Sequence, residues 1–132
     1  MSQLGRQRHH ARERALELAY EASAKSRSIT SIIAEQAVAP DPYAVTILNS
    51  AEEHRERIEE VIDQCSLEWT LERLAVIDRL VMTLALGELL LEDPPPTPVI
   101  LDEAVELAKI YSTESSPSFV NGVLSACVQH LK

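Results

Sequence analysis

The stretch Ala75–Leu91, AVIDRLVMTLALGELLL, decides the fold class. Apolar residues occupy most faces of a helix drawn through it, and only Asp78, Arg79, Thr83 and Glu88 interrupt them. A helix apolar nearly all round belongs in the centre of a bundle, covered by other helices. Gly87 inside it costs up to about 1 kcal/mol relative to Ala, which predicts a close neighbour at that point. The run Asp93-Pro94-Pro95-Pro96-Thr97-Pro98 then stops the helix, because proline cannot continue it and each pre-proline residue is driven toward extended geometry.

Beyond this stop, Pro98 opens a helix carrying Val99, Leu101, Val105, Leu107, Ala108 and Tyr111. The polar loop Ser112–Ser116 follows. Ser116 as N-cap and Pro117 at the first position start a last helix with Phe119, Val120, Val123, Leu124, Cys127, Val128 and Leu131 on its apolar side. On the other side of the central stretch, Thr70 caps a turn over residues 71–74, and Trp69, the only tryptophan, anchors the junction. Asp41 and Pro42 start a helix that runs to about Asp63, and a shorter one spans Ile29–Val38. From Ala11 to Ala24 an i, i+3, i+4, i+7 stripe of Ala15, Leu18, Ala19 and Ala22 marks an amphipathic helix. If that helix reaches back to Arg8, then Arg8 and Arg12 share a face.

The expected fold is all-α: a compact bundle of six or seven helices in one domain of 132 residues. Three glycines and an aromatic content of 4% disfavour an all-β fold. No apolar run is long enough to span a membrane, and no apolar segment follows the charged start as it would in a secretory signal. Cys65 and Cys127 form no paired motif and read as two reduced thiols of a cytoplasmic protein.

The net charge of −9 is unevenly spread. In a basic arm over residues 1–14, Arg6, Arg8, Arg12 and Arg14 stand against Glu13, for a net +3. Over residues 41–72 two arginines face nine carboxylates, for a net −7. Positive charge at a helix start opposes the macrodipole, a cost best tolerated where an anion docks. The pattern suggests a cationic arm for an anion and an acidic body facing water or a basic partner. No residues are nominated for catalysis. His9 and His10 are adjacent, so on a helix they point about 100° apart and cannot chelate one ion together. There is no phosphate loop or dinucleotide fingerprint, and no metal or cofactor is expected.

Three motifs then stand in order. They are Arg8-His9-His10-Ala11-Arg12-Glu13-Arg14-Ala15-Leu16 with Tyr20, Asp78-Arg79-Leu80 with Leu84-Ala85-Leu86-Gly87-Glu88-Leu89, and Glu103–Lys109 (EAVELAK) followed by Phe119–Leu124 (FVNGVL). Together they resemble the NusB family of transcription antitermination factors, and Trp69–Leu74 with Ser112–Pro117 is similar to the form that actinobacteria carry. The resemblance implies two small helical subdomains, about 8–64 and 70–132, with no catalytic activity and no cofactor. It implies binding of boxA-type RNA together with NusE, a small-subunit ribosomal protein, in an RNA polymerase antitermination complex that supports transcription of ribosomal RNA genes. It also allows a homodimer when the chain is free, without fixing the free oligomeric state. By motif position, RNA contact falls on Arg6, Arg8, His9, His10 and Arg12 and on Ser116, Ser118 and Phe119, whereas NusE contact falls on Asp78 and Glu88. Many relatives carry three arginines where this chain has Arg8-His9-His10, so its arm holds less charge near pH 7.

Several of these residues also have structural readings. Phe119 and Tyr20 suit helix packing, Asp78 and Arg79 suit an internal ion pair, Gly122 suits a close helix approach, and Asn121 suits a hydrogen bond across the loop. Two other functions fit the chain: a helical adaptor without an RNA role, and the detached RNA-binding domain of an RNA methyltransferase.

Overall fold

The computed structural model describes residues 2–66 and 74–131, which form seven α-helices and no strand. They are α1 (Gln3–Lys25), α2 (Ile29–Ala34), α3 (Pro42–Glu53), α4 (Arg55–Cys65), α5 (Val76–Leu89), α6 (Thr97–Tyr111) and α7 (Ser116–Leu131). The expected roles of Trp69 and Thr70 lie outside the described residues.

The basic arm is helical from Gln3 onward. Ser2 accepts the Gly5 N–H at 2.9 Å as N-cap, so Arg6 to Arg14 occupy the first turns of α1. α2 is shorter than its apolar pattern suggests. The Gln36 side chain donates to the Ile32 carbonyl at 2.9 Å and caps the end, and Val38 lies 81% exposed, with no core to hold a further turn.

The single helix expected from Pro42 to about Asp63 divides at His54, whose backbone leaves helical geometry (φ −102°, ψ 19°). The break serves packing. α3 buries Ala44, Ile47, Leu48 and Ala51 against α1 and α5, whereas α4 buries Ile58, Val61, Ile62 and Cys65 against α7 and α5. One straight helix could not present both stripes to partners in different directions. In the seam between α4 and α7, the free thiols of Cys65 and Cys127 neighbour one another, and burial, then Cys65, pushes the Cys127 thiol up to about 12.

α5 is the central element. It packs against α1, α3, α4, α6 and α7, and nine of its fourteen residues are buried. Gly87 is the point of closest approach: a Cβ there would stand 2.9 Å from Ala51 Cβ and 3.0 Å from its Cα. The Ser50 hydroxyl donates to the Gly87 carbonyl at 2.6 Å across the same contact. Gly122 differs from its expected role, because a Cβ there meets nothing within 4 Å, and Asn121 beside it is exposed. α7 also begins one residue early. Phe119 N–H bonds the Ser115 carbonyl at 3.3 Å, so Ser115 takes the cap position and Ser116 turns inward, 1% exposed. Among the described residues no helix is long and apolar enough to cross a membrane.

The two helical glycines predict opposite outcomes. Gly87→Ala gains about 1 kcal/mol of helix propensity but overpacks against Ala51 at about 1–3 kcal/mol, so denaturant unfolding should show a net loss. Gly122→Ala should raise stability by up to about 1 kcal/mol in the same measurement.

Candidate nucleic-acid interface

The first turns of α1 carry five of the residues expected at RNA, and the structure sorts them by depth. Arg12 falls on the buried stripe with Ala11, Ala15 and Leu16. Its Nε donates to Glu88 Oε1 at 2.8 Å and its Nη2 to Glu88 Oε2 at 2.6 Å, with the two side chains only 7% and 2% exposed. Arg12 and Glu88, expected on an RNA face and a partner face, therefore face each other. Removing two ions from water costs several kcal/mol each, and only close, bidentate geometry with further hydrogen bonds offsets this. One further hydrogen bond and a second carboxylate are present. Tyr43 OH donates to Glu88 Oε2 at 2.6 Å, and Glu103 Oε2 lies 3.7 Å from Arg12 Nη1. Burial opposes the guanidinium charge, but the bonds to Glu88 and the charges of Glu88 and Glu103 outweigh it and raise the Arg12 pKa. Burial and then donation to Glu88 hold the Tyr43 phenol well above its usual range.

The neighbours of Arg12 lie shallower. His9 Nδ1 is 2.7 Å from Glu103 Oε2, which ties α1 to α6. His10 is exposed and lies 3.2 Å from Glu13. The two imidazoles stand 5.8 Å apart at 64°, and among the described residues no His, Cys, Asp and Glu cluster could hold a metal. Tyr111 donates to Glu13 Oε2 at 2.6 Å, and that bond, more than the two histidines, holds the Glu13 carboxyl below its ordinary pKa. Arg14 donates to Gln36 at 2.6 Å. Arg8 sits over the ring of Tyr43, 4.8 Å from its centroid.

A second polar cluster lies where α6 passes into α7. Asp78, 6% exposed, accepts from Ser112 Oγ at 2.6 Å and from Ser116 Oγ at 3.0 Å. Ser116 Oγ also accepts the Thr113 N–H at 3.2 Å. Asp78 and Ser116, expected at the partner and at RNA, thus hold the loop together from within. No Asp78–Arg79 ion pair forms; Arg79 reaches Ser23 Oγ at 3.5 Å. Ser118 is exposed at the start of α7, and Phe119 is half-buried and packed against the core. α6 joins the two regions: Glu103 and Tyr111 hold the arm, and the helix then leads into the Ser112–Ser116 turn.

Reading the sequence missed Tyr43, Glu103, Glu13 and Tyr111 as parts of this face. Nothing local marks Tyr43 or Tyr111, since each partner lies tens of positions away. The Arg12–Glu88 pair did leave a trace: one cation in an apolar stripe and one anion in an apolar helix.

Residues 9–129 match the model of the NusB family. A transcription antitermination protein NusB of Thermobifida fusca (strain YX) is 36% identical over 126 residues, covering 92% of this chain and 89% of that protein. Among solved structures, T. maritima NusB superposes with a TM-score of 0.82 at 31% identity, over 92% of this chain and 90% of that one. A chain in a crystal structure of the antitermination factors NusB and NusE in complex with dsRNA superposes at 0.79 with 25% identity, over 95% and 98%.

Two outcomes follow from the geometry. Glu88→Ala strands a buried guanidinium and should lower unfolding free energy by about 3–5 kcal/mol, whereas replacing Arg12 and Glu88 together by Met and Leu should recover most of that loss. For Glu13, a depressed carboxylate pKa contributes stability at neutral pH that is lost as pH falls through the carboxylate range. Tyr111→Phe should raise the Glu13 pKa seen by NMR titration and shrink the stability lost on acidification from about pH 7 to pH 3.

Proposed function

The chain belongs to the NusB family of transcription antitermination factors, and from this we propose that it binds boxA-type RNA together with NusE and supports transcription of ribosomal RNA genes with RNA polymerase. The observation that carries the RNA assignment is the capped and anchored helical arm. α1 is capped at Ser2 and pinned at Arg12, and it presents Arg8 with no carboxylate partner among the described residues. Arg6 and His10 lie on the exposed side of the same turns, and His9 beside Glu103 completes the row. Ser118 and Phe119 at the start of α7 form the second half of the proposed RNA face.

In this reading Arg12 and Ser116 act from within. Arg12 fixes the arm, and Ser116 with Asp78 fixes the turn before Ser118. Asp78 and Glu88 accordingly shape the surfaces that meet RNA and NusE without standing on them. A net charge of −9 suits a basic ribosomal protein as partner, and complementary charge speeds such encounters.

Fluorescence anisotropy with a boxA-type oligonucleotide, with and without NusE, tests the proposal. NusE should tighten binding. Arg6→Ala with Arg8→Ala should lower the slope of log K against log salt by roughly 1.4, about 0.7 per lost phosphate contact, at unchanged helical circular dichroism. Binding of NusE with no RNA affinity at any salt concentration would make the chain a helical adaptor instead.

A further inference from the structure

We propose that Tyr43 is a positioning residue for RNA binding: its ring seats the Arg8 guanidinium so that the N–H edge stays presented to a phosphate. The inference rests on the RNA-binding reading above and adds a residue on α3, outside the arm and outside α7.

Arg8 is held differently from the arginines next to it in the arm. Arg12 is matched by Glu88, and Arg14 by Gln36 and Glu17. Among the described residues, Arg8 has a ring and no anion: its guanidinium carbon lies 4.8 Å from the Tyr43 centroid. A cation within about 6 Å of an aromatic face is attracted by the ring quadrupole. An ion pair would neutralise the charge and occupy the donor fork. Contact with a ring face does neither, because the ring brings no negative charge and no carboxylate oxygens to fill the donor fork. Arg8 is therefore ordered yet still fully charged.

The ring is itself fixed at both ends. Its backbone N–H donates to Asp41 Oδ1 at 2.7 Å in the first turn of α3, where Pro42 sets the backbone angle. Its hydroxyl donates to Glu88 Oε2 at 2.6 Å, and Arg12 clamps Glu88. Donating a phenolic proton to a carboxylate also enriches the ring in electrons, which strengthens its hold on a cation. A continuous path thus runs from Glu88, at the C-terminal end of α5, through Tyr43 to Arg8. Ordering a long side chain before it binds removes part of the entropy lost on binding, which is expected to be worth about twofold to tenfold in affinity.

The test is a double-mutant cycle on affinity for the boxA-type oligonucleotide with NusE present. Tyr43→Leu should weaken binding about twofold to tenfold in the wild-type background and cause no further loss in the Arg8→Ala background. A purely structural role would give the same loss in both. Tyr43→Phe keeps the ring volume and drops the bond to Glu88, so it should give a smaller loss that again vanishes with Arg8→Ala, and it keeps the cycle readable if Tyr43→Leu unfolds. Additive losses, or no loss in either Tyr43 variant while Arg8→Ala weakens binding, would overturn the role of Tyr43 alone. An Arg8→Ala variant that binds like wild type overturns it as well, by removing Arg8 from the site. Wild-type protein that binds NusE but no RNA would overturn the functional reading and this inference with it.

Discussion

The buried pair of Arg12 and Glu88 is the constraint on which the rest of this structure depends. It joins the first helix to the central one at a point where each side chain is almost wholly removed from water. Such a pair is tolerable only when both charges are fully satisfied, so it demands its surroundings: the hydroxyl of Tyr43 on one side and the carboxylate of Glu103 on the other. These bring α3 and α6 to the same place. Four helices are thereby fixed to one another by a single polar knot inside an otherwise apolar bundle.

The knot also sorts the basic residues of a strongly acidic protein by depth. The basic residues at the start of α1 are not equivalent. Arg12 is spent inside, Arg8 rests on an aromatic ring, and the histidines lie against glutamates of α1 and α6. Depth sorts them, and depth follows from the 3.6-residue period: Arg12 falls on the stripe of Ala15 and Leu16, and Arg8 falls one turn earlier, past the end of the core. A similar division holds at the other end of the face, where Ser116 turns inward to Asp78 and Ser118 faces water.

Where residues carry their message in local periodicity, the fold was legible from the sequence alone. The apolar run of α5 announced a central helix, Asp41-Pro42 announced the start of α3, and Gly87 announced a close neighbour that proved to be Ala51. The break at His54 was not legible, because apolar residues continue in nearly the same register across it and only the directions of the packing partners require it. The motif positions of Arg12, Ser116, Asp78 and Glu88 came from family resemblance, which marks a residue without saying which way it points. Tyr43, Glu13 and Tyr111 were invisible, since each acts through a partner far along the chain, and only a folded structure brings the two together.

The most direct test of this account is the NMR signal of the arginine Nε–H groups while a boxA-type RNA is titrated into the complex with NusE. The Arg12 signal should stay in place and remain protected from solvent exchange, because its proton is held by Glu88. The Arg8 signal should shift as its free donors meet phosphate. An Arg12 signal that moves and loses protection on RNA addition, with Arg8 unchanged, would contradict the division of labour between the two arginines.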